Sequence, residues 1–525
     1  MDGNDAGTAQ RVHELRIGLE SSQPLSTPPG PLREVLDGSL PGWRIDTLLT
    51  DDSELWLIRG RVDEHVGTPE YARRAHTLVQ EILTTGVASR AEADLPVTAF
   101  GRSVDALRSS DAAEFPPGSE VRRWARDAIR CDDAWSIEPT RGAGIRIGHP
   151  DTGYTVHPRL GRDALDLETD RDLIDDDDDA LDPLMDPDHS PWPLPFPGHG
   201  TTTASVMAGQ GTEERGIVGV APGSRVVPLR AVESVVQLFD SDVARAVDHA
   251  RSTGCDLVSI SVGGKGFFGL RAAIQRAVDA GMLVMAAAGN NVRIVVAPAS
   301  YPNCLAVAAT GPDGQPWPES SRGRAVDVSA PGWGVHVAGY EWVDGTPHAS
   351  VFRSSGSSYA VAHVAGAAAL WLAHHGPEAL RARYGAGLQD AFRRVLVTAG
   401  SRVPEGWDAG DFGSGIVDAA GLLAATLPSP DDTIPRRGGA VDAPITRLAA
   451  MVNESETDLE TALAGWFGLA GPELRSTVAR FEGELAFHLV EEPALRASIL
   501  SGSRTRAARI GVPASCSPAF AATFL

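Results

Sequence analysis

The 525-residue sequence is short of cysteine, aromatic side chains, positive charge and long apolar runs. The four cysteines, Cys131, Cys255, Cys304 and Cys516, show no metal-ligand spacing. Cys255 and Cys304 sit in strand-like apolar surroundings and read as buried thiols, which favours a reducing, cytoplasmic setting. Lys and Arg number 46 against 69 Asp and Glu, a net charge of −23. That balance argues against nucleic acid or an anionic membrane as partner, since both require a basic surface. No stretch approaches the apolar length of a membrane span. The N-terminus, MDGNDAGTAQRVHELRIGLESSQP, shows no basic region followed by an apolar core, so no secretory signal is read. The remaining composition is that of a globular protein rich in Gly, Pro and Ala, long enough for one large core and one or two smaller units.

The chain is organised around SSGSSYAVAHVAGAAAL, residues 354–370. Gly356 and two serines precede a run of small apolar residues that predicts a buried helix. Ser358 falls in its first turn, where unpaired N–H groups and the positive end of the helix dipole face outward. Alone, this is a serine cap on a core helix. Three other stretches change the reading. IRIGHPDTGY ends an apolar strand at Asp151. PGHGTTTASVMAG sets His199 between glycines at the start of a second small-residue helix. MLVMAAAGNN ends another strand at Gly289 and Asn290. Each polar group stands at a strand end or a helix start.

These motifs, in the order Asp, His, Asn, Ser, resemble the subtilisin-like serine peptidases (subtilases) over about residues 116–425. The resemblance implies an α/β fold of three layers, a mostly parallel sheet with helices on both faces. It implies Ser358 as nucleophile, His199 as general base and then acid, Asp151 as orienter of the imidazole, and Asn290 as side-chain donor to the oxyanion. Ser261, Val262, Gly263 and Gly264 would bind the substrate backbone as an added strand. Ala287 and Ala288 would form the other wall of the primary specificity pocket. Against the family pattern, Ser357 replaces Thr, Tyr359 replaces Met, Ala362 replaces Pro, and Pro150 precedes Asp151 within a strand. None of these removes a reacting atom.

Between Asp151 and His199 runs an acidic stretch. Its Asp175, Asp177, Asp179 and Asp182 form a candidate calcium site, with a solvated acidic loop as the alternative. The chemistry itself calls for no cofactor.

Alternation of strands and helices over residues 116–426 predicts a parallel sheet whose reactive groups collect at the carboxyl ends of the strands. Residues 1–30 are read as a flexible N-terminus. Residues 31–115 form a small α+β unit similar in position to a subtilase propeptide, the alternative being an accessory domain that stays attached. Within it Trp43–Leu49 and Glu54–Val62 read as strands, Tyr71–Leu83 as an amphipathic helix and Pro96–Phe100 as a further strand. Residues 427–443 are a linker. Residues 444–525 are a helical module for packing or for binding a regulatory partner.

The expectation is a cytoplasmic, bacterial serine endopeptidase acting on a peptide or protein substrate and kept under restraint. The rivals are a non-catalytic peptide-binding protein on the same fold, and acyl transfer to an amine, as in peptide macrocyclisation.

Overall fold

The computed structural model describes residues 13–96, 115–186, 188, 196–212, 217–233, 235, 239–432, 443–502 and 512–524. The N-terminal unit holds β1 (Glu14–Glu20), β2 (Arg44–Thr47), β3 (Leu55–Arg61) and β4 (Arg90–Ala93), with helices Gly30–Ser39 and Pro69–Thr84. Its sheet runs β2-β3-β1-β4. This corrects, for Glu14–Glu20, the reading of the N-terminus as flexible. Leu15, Ile17 and Leu19 alternate along β1 and all three are buried, so β1 is an inner strand. The Ser- and Pro-rich stretch that follows it masked this short signal. The expected strand Pro96–Phe100 lies, beyond Pro96, outside the described residues.

The next unit carries β5 (Arg146–Asp151), β6 (Arg171–Asp172), β7 (Arg225–Arg230), β8 (Leu257–Ile260), β9 (Leu283–Ala287), β10 (Leu305–Thr310) and β11 (Val328–Pro331). It continues with β12 (Val335–Val343), β13 (Thr346–Ser354), β14 (Ser401–Arg402) and β15 (Ile416–Val417). One nine-stranded sheet runs β14-β15-β11-β10-β9-β8-β5-β7-β6. Every pair in it is parallel except β14 with β15. Parallel strands are covered on both faces, which is why β8, β9 and β10 read as unbroken apolar runs. Leu283, Met285 and Ala287 face one core with the helix Ser357–His375. Val284, Ala286 and Ala288 face another, with helices Asp240–Ser252 and Phe268–Asp279. Strands β12 and β13 form a separate antiparallel hairpin that alternation alone did not predict.

Helices Pro444–Val452, Glu456–Phe467, Gly471–Arg480, Glu482–Glu491 and Pro493–Leu500 make up most of the C-terminal module. Their apolar faces share one core with the N-terminal unit, including Leu15, Leu78, Leu448, Trp466, Leu485 and Phe520. Arg480 donates to Gln80 at 2.8 Å, and Arg90 pairs with Glu482 at 2.7 Å. The module's first partner is therefore the N-terminal unit of the same chain.

The N-terminal unit docks through β4 and the residues after it. Asp94 accepts the backbone N–H groups of Asp240 and Ser241, both at 3.0 Å, at the start of helix Asp240–Ser252. Glu92 accepts from the N–H of Phe268 at 3.2 Å, at the start of helix Phe268–Asp279. Carboxylates at both N-termini satisfy orphan donors and meet the positive ends of the dipoles. Buried Arg16 donates to Asp242 at 2.8 Å. Lys265, the single lysine of the chain, is buried and donates to Glu92 at 3.1 Å. Among the described residues no helix is long and apolar enough to cross a membrane.

Candidate active site

Asp151 is the last residue of β5, where a parallel sheet presents side chains to the crevice beyond its strand ends. Its carboxylate is fully buried, and Oδ1 lies 2.7 Å from Nδ1 of His199. Burial by itself would raise this carboxyl. Attraction to His199 and the hydrogen bonds it accepts outweigh that and hold it below the ordinary carboxylate range. His199 opens the helix His199–Ala208, and Thr152 Oγ1 accepts from the N–H of Gly200 at 3.1 Å. The rings of Phe196 and Tyr359 flank the imidazole, with centroids 5.3 and 6.4 Å away.

Sequence reading missed a second imidazole. His149, on the same face of β5 as Asp151, is buried, with Nε2 3.5 Å from Asp151 Oδ2. Its Nδ1 lies 3.0 Å from the Ser259 carbonyl, so Nδ1 carries the proton. Burial lowers its pKa, which leaves Nε2 of the neutral ring to accept from the Thr203 hydroxyl at 2.7 Å. The period-2 spacing in His-Pro-Asp was the available signal.

Ser358 is the second residue of the helix Ser357–His375, in a first turn whose N–H groups are unpaired along the helix. Its hydroxyl donates to the carbonyl of Ser261 at 2.9 Å rather than to His199. Ser357, which stands where the family has Thr, orients Asn290. The Ser357 N–H donates to Asn290 Oδ1 at 2.9 Å, and Ser357 Oγ accepts from the N–H of Gly289 at 3.1 Å. Fixing Oδ1 in this way leaves Asn290 Nδ2 as the free end of the amide. Asn290 Nδ2 and the backbone N of Ser358 each lie 3.7 Å from the point where a Cβ on Gly356 would stand, so two donors border one hollow. Tyr359 turns its hydroxyl to Ser354 Oγ at 2.9 Å and keeps clear of that hollow.

Ser261, Val262 and Gly263 follow β8 directly, while Ala287 ends β9 and Ala288 continues it. The N–H and C=O of Gly264 are both taken by Ala297, at 2.9 and 3.1 Å. Val296 stands between Gly263 and Gly289. A Cβ at Gly263 would lie 2.5 Å from one Val296 methyl, and a Cβ at Gly289 would lie 2.9 Å from the other.

The acidic aspartates do not gather around one point. Asp175 pairs with Arg230 at 2.7 Å, Asp177 accepts from the N–H of Asp179 at 3.0 Å, and Asp179 accepts from the Tyr154 hydroxyl at 3.0 Å. Buried Asp182 accepts from the N–H groups of Leu184 and Gly198, both at 2.8 Å. One arginine, a tyrosine hydroxyl and backbone N–H groups thus meet these four carboxylates. Asp182 anchors the residue directly before His199.

The model of the subtilase family (peptidase S8) matches residues 142–411. Thermitase from Thermoactinomyces vulgaris is 32% identical over 271 residues, which is 51% of this chain and 88% of thermitase. The thermophilic serine proteinase of Bacillus sp. (strain AK1) is 33% identical over 244 residues, 46% of this chain and 54% of that protein. The crystal structure of fervidolysin from Fervidobacterium pennivorans shares the fold with a TM-score of 0.57 at 19% identity. That match covers 79% of this chain and 61% of fervidolysin.

Proposed function

The chain belongs to the subtilase family and is a serine endopeptidase, and from that premise we propose that Asp151, His199, Ser358 and Asn290 carry its chemistry. The observation that carries the proposal is the buried 2.7 Å hydrogen bond between Asp151 and His199, beside the helix that begins with Ser357 and Ser358. His199 Nε2 takes the Ser358 proton as Oγ attacks the scissile carbonyl. Asn290 Nδ2 and the Ser358 N–H receive the developing oxyanion. His199⁺, held by Asp151, then returns the proton to the leaving amine. Water, deprotonated by the same imidazole, cleaves the acyl-enzyme and restores Ser358.

The substrate backbone lies along Ser261–Gly263, and its side chain enters between that segment and Ala287–Ala288. Val296 shortens this pocket and favours small side chains. Restraint comes from the N-terminal unit. It caps both surface helices, and Leu95, near the point where the chain leaves it, lies in the same apolar cluster as Val296. Four buried, unpaired cysteines and the bacterial relatives support a reducing, cytoplasmic and bacterial setting.

The test is intact mass before and after a fluorophosphonate probe, on the wild type and on Ser358→Ala. One adduct on the wild type and none on the variant is expected. Equal labelling of both proteins would remove Ser358 from its role.

A further inference from the structure

Where the N-terminal unit meets the C-terminal module, two histidines, a glutamate and a cysteine from three distant segments are buried together. His76 lies on helix Pro69–Thr84, Glu484 and His488 lie one turn apart on helix Glu482–Glu491, and Cys516 precedes helix Pro518–Ala521. All four are buried, with exposures of 3, 4, 0 and 4%. His76 Nδ1 is 3.8 Å and His488 Nε2 3.7 Å from the same oxygen, Glu484 Oε1. Cys516 Sγ is 3.3 Å from His488 Nε2. Tetrahedral zinc with bonds of about 2.0–2.3 Å sets its ligand atoms roughly 3.3–3.7 Å apart. These three separations are close to that range, and the ligand atoms of His76, Glu484 and His488 all lie within 4.8 Å of one another before any ion is added.

Charge and surroundings point the same way. Glu484 has no arginine or lysine in ion-pair range among the described residues, and the basic side chains nearest to it are the two imidazoles. A buried carboxylate without a cation is costly, and one divalent ion would balance both it and a Cys516 thiolate. Ser517 holds Glu484 in place, donating from its N–H at 2.7 Å and from its hydroxyl at 2.8 Å, the kind of support that orients a ligand. Phe520 stacks on His488 and Phe487 meets His76 edge-on, so water is kept out.

We propose that His76, Glu484, His488 and Cys516 form a structural zinc site that fastens the N-terminal unit to the C-terminal module. Mixed imidazole, thiolate and carboxylate donors suit Zn²⁺ better than calcium or magnesium, which take oxygen ligands. Binding releases the Cys516 thiol proton to solvent and leaves both imidazoles neutral. His76 exchanges its present hydrogen bond with the Ser515 carbonyl (3.1 Å) for the metal. The ion then joins two units separated in sequence by the whole peptidase domain.

The test uses the full chain carrying Ser358→Ala, so that self-cleavage cannot remove His76. Metal content is measured by plasma mass spectrometry after incubation with excess zinc and gel filtration. One zinc per chain is expected. His76→Gln, His488→Gln and Cys516→Ser should each lose it while keeping the circular dichroism spectrum. Cobalt(II) in place of zinc should give tetrahedral visible bands and a thiolate charge-transfer band that Cys516→Ser abolishes. Chelation should lower Tm and speed amide exchange in helices Pro69–Thr84 and Glu482–Glu491. A folded parent chain that retains no zinc would overturn the proposal, even if a variant failed to fold. So would zinc that survives His76→Gln combined with His488→Gln.

Discussion

The hydroxyl of Ser358 donates to the carbonyl of Ser261 at 2.9 Å, and Ser261 belongs to the segment assigned to substrate pairing. A substrate N–H that pairs with this carbonyl competes with the Ser358 hydroxyl for it. The hydroxyl is then free to turn toward His199. Methylating that one amide of a good peptide substrate should therefore lower kcat as well as raise KM, because both pairing and alignment are lost. Steady-state kinetics on the matched peptides would show this. A change confined to KM would mean that Ser358 aligns without help from the substrate.

Gly356 tests the oxyanion hollow without touching a donor. Its φ of 167° is extended backbone open to any residue, and its Cβ would approach Asn290 Nδ2 and the Ser358 N no closer than 3.7 Å. Gly356→Ala should thus fold with nearly unchanged Tm. The added methyl would stand where the oxyanion must form. Turnover should fall by about 10²-fold or more, the scale on which subtilisin responds to loss of an oxyanion donor. Retained kcat in a folded variant would place the oxyanion elsewhere.

Val296 tests specificity. It stands in the gap between Gly263 and Gly289. Val296→Gly should open that gap and shift kcat/KM toward substrates with Leu or Phe at the cleaved bond, relative to Ala, by about 10–200-fold, the range for one or a few methylenes in an apolar pocket. The variant also loses buried apolar surface in the core shared with the N-terminal unit, so Tm should drop as well. An unchanged substrate ranking would mean that Val296 does not line the pocket.

The placement of Asp151, His199 and Ser358 at a strand end and at helix starts, and of Asn290 just beyond a strand, was legible in the sequence because each sits in a short local pattern. The nine-stranded sheet was legible for the same reason, through apolar runs alternating with helical segments. What escaped depends on partners far along the chain. Strand β1 is too short to stand out beside a Ser- and Pro-rich stretch, and only pairing with β3 and β4 makes it an inner strand. Asp182 reads in the sequence as one of four candidate calcium aspartates, and no local pattern announces that it holds the N–H of Gly198. Ala297 holds both backbone groups of Gly264, a pairing that no local pattern announces. The amphipathic C-terminal helices gave no sign that their partner lies more than 350 residues upstream, at Leu15, Leu78 and their neighbours.

Asp240 should make the docking of the N-terminal unit depend on pH. Its carboxyl is buried at the start of helix Asp240–Ser252, with Asp94 and Glu92 from the N-terminal unit, and with Lys265 and Tyr301, around it. Burial, and then repulsion from Asp94, push its pKa up to about 8, against the attraction of Lys265. Oδ1 has no hydrogen-bond partner. A carboxyl raised on docking binds its proton more tightly in the docked state. Its contribution is complete below the ordinary carboxylate range and is lost as pH rises through about 8. The Ser358→Ala chain should therefore lose stability between about pH 4 and about pH 8, by at most about 1.4 kcal/mol per pH unit for one proton, and level off above that. Asp240→Asn keeps the shape, removes the titration and should flatten that slope. Thermal melts of both chains across this range decide it. Parallel curves would show that Asp240 does not govern that loss, whereas convergence at low pH with divergence at high pH would identify it as the group that loosens the N-terminal unit.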